Sequence, residues 1–167
     1  MPTLIRWKDG AAREAIDEFT AVDGAPPIPP GDVIVSMSRF QADGERLLGE
    51  GRRVGVRVGA GEAVEALAYD LPRISVVALE FPKFRDGRAF SWARMLRTRL
   101  GFTGEIRAVG DFLYDQVNYQ HRVGFDAWEV PDGFTIEQFR RALSEMTNVY
   151  QPSTDGKKTI RELRAGG

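Results

Sequence analysis

Residues 74–81 read Ile74-Ser75-Val76-Val77-Ala78-Leu79-Glu80-Phe81. A near-continuous apolar run of this length, rich in β-branched residues, suits a central parallel strand covered on both faces. On either side of it, strand and helix signals alternate. Upstream, Arg53-Val54-Gly55-Val56-Arg57-Val58 carries alternating valines and reads as a second strand. Val33-Ile34-Val35-Ser36-Met37 reads as a third, and Ala63 to Tyr69 is helical in composition. Downstream, Trp92, Met95, Leu96 and Leu100 recur at helical spacing and predict a helix over Ser91 to Leu100, with Gly101 as its C-cap. Ile106 to Val109 follows as a strand, and Asp111 is placed to N-cap a helix running to about Val123. Phe125 to Val130 is the last strand, and Pro131-Asp132-Gly133 is a turn. Thr135 and Gln138 then form a capping box for a helix with Ile136, Phe139, Leu143 and Met146 on its apolar stripe.

Alternation of this kind specifies a parallel sheet with crossover helices. The expected fold is α/β, doubly wound, with about five mostly parallel strands and about four helices. The alternative is a half (β/α) barrel, because a full barrel needs eight units and about 250 residues. Residues 1–31 read as a leading segment that ends in the Pro-rich connector Ala25 to Gly31. Residues 32–150 form the α/β domain, and residues 151–167 read as a flexible polar tail.

Composition bounds the chemistry. The 167 residues include no cysteine and one histidine, His121. That excludes disulfides, thiolate metal sites and any site needing two imidazoles from this chain's own residues. His121 lies in the last turn of its expected helix, where a structural role fits. No cofactor and no metal site are evident. GxGxxG and GxxxxGK[ST] are absent, and Val58-Gly59-Ala60-Gly61 is only a fragment of the first. Twenty-three basic against 24 acidic residues give no general reason to expect nucleic acid. Arg6 and Lys8 interrupt the N-terminus where a signal peptide would be apolar, and no run is long enough for a membrane span, so a cytoplasmic location is expected.

Charge is unevenly distributed. Residues 1–50 hold nine acids against five bases, whereas residues 83–99 hold Lys83, Arg85, Arg88, Arg94, Arg97 and Arg99 against Asp86 alone. Open parallel sheets bind ligands beyond the carboxyl ends of their strands. The loop after Phe81 is therefore the first candidate site, with Lys83, Arg85, Arg88 and Ser91 as ligand-binding residues. Its cations can hold an anion, dock a protein or simply pair with Asp86 and Glu80 across a turn. Gly110-Asp111 is the second. Asp111 and Asp115 fall four apart, so one helix face would place both at the same mouth beside Gln116. Asp86, Asp111 and Asp115 are the candidate acid–base carboxylates, and helix capping is the plainer role for Asp111.

The stretch from Ala78 to Val130 carries the pattern FPxFxDGRxxSxAxxLRxRxGFxGExRAxGDxLxDQxxxxxRxGFD. It resembles a bacterial family of undefined biochemical function whose genes sit beside those for assimilatory sulfite reductase and sulfate activation. Members are often labelled oxidoreductases of sulfite reduction. The resemblance implies a place in sulfur assimilation and transfers no catalytic residue. It also implies a partner, either sulfite reductase or a small acidic electron carrier, for an accessory protein docking through its basic loop. The alternative is a small α/β enzyme that clamps an anionic substrate with Lys83, Arg85 and Arg88 and moves a proton with an aspartate. The residues leave the oligomeric state open.

Overall fold

Asp9 and Gly10 form a tight turn, with φ of 55° and 79°. Positive φ at both central residues makes a two-residue hairpin whose twist matches its strands. It joins β1 (Thr3–Lys8) to β2 (Ala11–Ala15), with Lys8 opposite Ala11. The computed structural model describes residues 3–24, 27–82, 87–112 and 114–145. Six further strands follow: β3 (Thr20–Val22), β4 (Val33–Ser36), β5 (Val54–Val58), β6 (Val76–Phe81), β7 (Glu105–Gly110) and β8 (Ala127–Val130). The four helices among the described residues are α1 (Met37–Gly49), α2 (Arg88–Thr98), α3 (Val117–Val123) and α4 (Ile136–Glu145).

All eight strands join one sheet in the order β2-β1-β8-β7-β6-β5-β4-β3. From β3 to β8 each strand pairs in parallel with the next in sequence. Strands that advance one place at a time through right-handed crossovers put every connection on the same face. Val35, Val56, Leu79, Ile106 and Trp128 point to that face and form the main core with Leu47, Leu96 and Phe139 from the helices.

The other face is concave. Its two edges, β2 and β3, are joined by residues 16–19 alone. Eight strands laid flat would separate their edges by about 34 Å at about 4.8 Å per step. Five extended residue steps reach at most about 18 Å. The sheet must therefore curl, and it forms a half-barrel. The connection also runs from the carboxyl end of the strands to their amino end, since Ala15 sits opposite Leu4 and Thr20 opposite Val33. It thus crosses the concave face. Phe19 packs there on Ile34, Val76, Ala78 and Val109, a second small core.

Asp17 anchors the crossing. Its carboxylate accepts from Arg107 Nη1 at 2.9 Å, and Arg107 Nε donates to Glu105 at 2.8 Å. Glu129 lies 3.4 Å from the same guanidinium, and Arg6 donates to the other oxygen of Glu105 at 2.6 Å. The Arg107 side chain is 1% exposed. Burial opposes its charge, but the Glu105 and Asp17 carboxylates outweigh it and hold its pKa above the ordinary value.

The expectation of about five doubly wound strands is corrected by this sheet, and the half (β/α) barrel alternative fits it. Double winding needs helices on both faces, and here the second face is lined by Arg57, Glu80, Glu105 and Arg107 and crossed by chain. Three strands and α1 escaped the reading. Gly44 interrupts the apolar pattern of α1 because the ring of Phe40 lies over it, 2.9 Å from where a Cβ would stand. Ser36 caps that helix, its hydroxyl accepting from Arg39 N at 3.2 Å. The helix expected over Ala63 to Tyr69 is a short 3-10 turn, Val64–Leu67. The expected C-cap Gly101 (φ 68°) lies two residues past the observed one, since α2 ends at Thr98 and is capped by Arg99, whereas the capping box of α4 forms reciprocally, at 2.8 and 3.1 Å. The segment read as a polar tail lies outside the described residues.

Removing the Arg107 guanidinium strands three carboxylates around a buried position. Arg107→Leu should cost about 3–5 kcal/mol in urea denaturation. A loss below about 1 kcal/mol would show that the buried network does not hold the crossing.

Candidate functional site

The carboxyl ends of β6 and β7 lie level, with Phe81 opposite Gly110. Asp111 N donates to Phe81 O at 2.8 Å. Gly110 has φ of 91°, and a Cβ there would lie 2.5 Å from the same carbonyl oxygen, so only glycine lets the two chains leave this closely. Beneath them the Phe81 ring meets Phe90, Phe112 and Phe125, with centroids 5.1, 5.9 and 5.6 Å away. The loops after β6 and β7 therefore emerge side by side from a rigid aromatic floor.

This arrangement places several of the residues named from the sequence. Arg88 and Ser91 are exposed on the first turns of α2. Asp111 and Asp115 are exposed on the neighbouring segment, and Gln116 is half-buried at the start of α3. Lys83, Arg85 and Asp86 lie outside the described residues. One expectation is corrected. Asp111 does not cap a helix: a 3-10 turn at Tyr114–Gln116 intervenes, and α3 begins only at Val117. Asp111 thus precedes the helical turns, and it shares no helix face with Asp115. Both carboxylates stand in solvent, without the burial that acid–base catalysis by a carboxyl draws on.

From Arg88 the site continues along α2. Between α2 and α3 lies a groove of about 270 Å³ lined by Phe90, Ser91, Arg94, Met95, Thr98, Arg99 and Tyr119. Phe90 and Tyr119 meet across its floor with centroids 5.1 Å apart. Arg88 and Arg99 are exposed and Arg94 is half-exposed, so the outer surface of α2 carries cations beside hydroxyls and a partly apolar floor. Reading the loop alone missed this extension. Its signal was present in the spacing of Arg88, Ser91, Arg94, Met95 and Thr98, which recur three or four apart.

The opposite end of the sheet explains much of the long sequence pattern by folding. Arg97 donates from Nη1 to the carbonyls of Phe102 and Gly104, at 3.0 and 2.7 Å, and from Nε and Nη2 to Gly124, at 3.1 and 3.0 Å. Its Nη2 also lies 3.3 Å from Asp126. The Asp126 carboxylate accepts from Ile106 N at 2.8 Å. Arg97 thus ties the end of α2 to the starts of β7 and β8. Burial pushes the Asp126 carboxyl above the usual aspartate range, against the pull of Arg97 and the Ile106 amide. Burial also lowers Arg97, against Asp126. A buried, shifted carboxyl often marks a functional site, but this one is occupied in holding strand ends. His121 is likewise structural: its ring lies 4.3 Å from Trp7 and 6.0 Å from Trp128.

Among the described residues no group of three or more His, Asp or Glu could hold a metal ion, and no helix is long and apolar enough to cross a membrane. The model of a bacterial protein family of unknown function, DUF934, matches residues 55–161. No curated protein matches the chain.

The two ends should separate in mutagenesis. Arg97→Ala leaves three carbonyls without their charged donor and should cost about 3 kcal/mol. Asp111→Asn and Asp115→Asn should each stay within about 0.5 kcal/mol of the parent in the same denaturation experiment. Equal costs at both ends would contradict the division.

Proposed function

We propose that the chain, which belongs to the bacterial family DUF934, is an accessory protein of assimilatory sulfite reduction that docks an acidic partner. The partner is the sulfite reductase or a small acidic electron carrier. The observation that carries this reading is the cationic outer surface of α2, where Arg88, Arg94 and Arg99 accompany Ser91 and Thr98 beside the groove. The loop sequence adjoining it adds Lys83 and Arg85. Complementary charge supplies association rate and register in transient contacts, which suits a protein that meets its partner repeatedly. A basic surface of this kind loses attraction as salt shortens the screening length from about 10 Å at 0.1 M to about 3 Å at 1 M.

The enzyme alternative has one feature in its favour: Arg88 and Asp111 leave from adjacent strand ends. Its carboxylates are open to solvent, however, and the larger concentration of charge lies on the helix surface rather than inside a cleft.

In a bacterium carrying this gene, the deletion strain should fail on sulfate and sulfite and grow on sulfide and cysteine. The parent gene and Asp111→Asn should restore growth, and the folded double variant Arg85→Glu/Arg88→Glu should not. Normal growth of the deletion strain on all four sulfur sources would contradict the pathway assignment. Restoration by the double variant would contradict docking through the basic surface, and failure of Asp111→Asn alone would favour the enzyme.

A further inference from the structure

We infer that the groove between α2 and α3 receives one large apolar side chain from an acidic segment of the partner protein. The inference rests on the docking reading and specifies how the partner is recognised.

Three half-buried side chains, Phe90, Met95 and Tyr119, give the groove an apolar floor. Two guanidinium groups, Arg94 and Arg99, and two hydroxyls, Ser91 and Thr98, form its rim, and no carboxylate stands among the described lining residues. Core apolar and rim polar is the anatomy of a protein contact site. The volume narrows the choice of occupant. About 270 Å³ falls below the range of roughly 300–1,000 Å³ that encloses a small-molecule ligand. It suits a single anchoring side chain, the element that carries most of the energy in such contacts. The floor is also pre-formed. Phe90 meets Phe81 edge to face and Tyr119 at a tilt, so the groove does not have to be assembled when the partner arrives. Methionine beside two aromatic rings accommodates more than one anchor shape. The charge around it selects the sequence on either side of that anchor. On α2, Arg88 and Arg99 share one side and Arg94 stands about 120° round from them, with Ser91, Met95 and Thr98 between, so carboxylates flanking an apolar residue would meet a guanidinium on each side.

The test uses two fluorescein-labelled peptides of twelve residues composed of aspartate and glutamate, one with a central phenylalanine and one with alanine in its place. Binding to the full chain is followed by fluorescence anisotropy at 50 and 500 mM NaCl. The phenylalanine peptide should bind about tenfold more tightly than the alanine peptide at low salt, and the ratio should persist at high salt while both affinities fall. Ser91→Trp fills the groove from an exposed position without removing a charge. It should bring the phenylalanine peptide down to the affinity of the alanine peptide and leave the latter unchanged, with an unaltered melting temperature. Arg94→Glu/Arg99→Glu should weaken both peptides equally. Equal affinity of the two peptides, or an affinity ratio that survives Ser91→Trp, would overturn the groove while leaving docking by charge intact. Binding of neither peptide at low salt would overturn the groove and the acidic segment together. The growth experiment above judges the pathway independently.

Discussion

The rest of the structure depends on a short stretch of chain. Residues 16–19 must bridge the two edges of an eight-stranded sheet, and they can do so only if the sheet curls. The curl sets the division of labour. The four described helices lie outside, the concave face is crossed and filled by Phe19 and Asp17, and Arg107 pins that crossing from the sheet. The inner face of the half-barrel is thereby spent on structure. The proposed docking surface lies instead at the strand ends and on the helical surface.

That division also accounts for the long sequence pattern. Arg97, Gly104, Glu105, Gly110, Gly124 and Asp126 each hold two pieces of backbone or a buried charge in place. At Gly104 a Cβ would lie 2.6 Å from the Phe102 ring and 2.9 Å from Ser75 O, and at Gly124 (φ 125°) it would lie 2.6 Å from the Arg97 side chain. These positions need their residues for reasons of geometry alone. The side chains of Ser91, Asp111 and Asp115 have no such duty among the described residues, and with Arg88 they share the carboxyl end of β6 and β7 and the start of α2. The docking surface proposed here begins where the folding duties stop.

Much of the outer layer was legible. The apolar runs of β4 to β8 and the periodic helices α2 and α4 stand out because packing on one core imposes their spacing. The hairpin was equally visible in Asp9-Gly10 between two short runs, but the prolines that follow β3 drew the whole leading segment into one irregular reading. The strands also carried evidence against double winding. Arg57 within β5, Glu105 and Arg107 within β7, and Glu129 within β8 alternate with apolar neighbours, as befits strands with one polar face. The Arg97 clamp could not be read, because its acceptors are backbone carbonyls brought together only by the fold. The basic surface of α2 was half legible: its charges were counted, but the groove beside it needs Tyr119 from the next helix.

The proposal makes the outer surface of α2 the working face of the protein. Hydrogen–deuterium exchange of the full chain, alone and with the sulfite reductase, puts this to the test. Exchange should slow in residues 88–99 and at the facing turn of α3, with no change along residues 15–22 on the concave face. Protection of the concave face with α2 unaffected, or no protection anywhere, would contradict it.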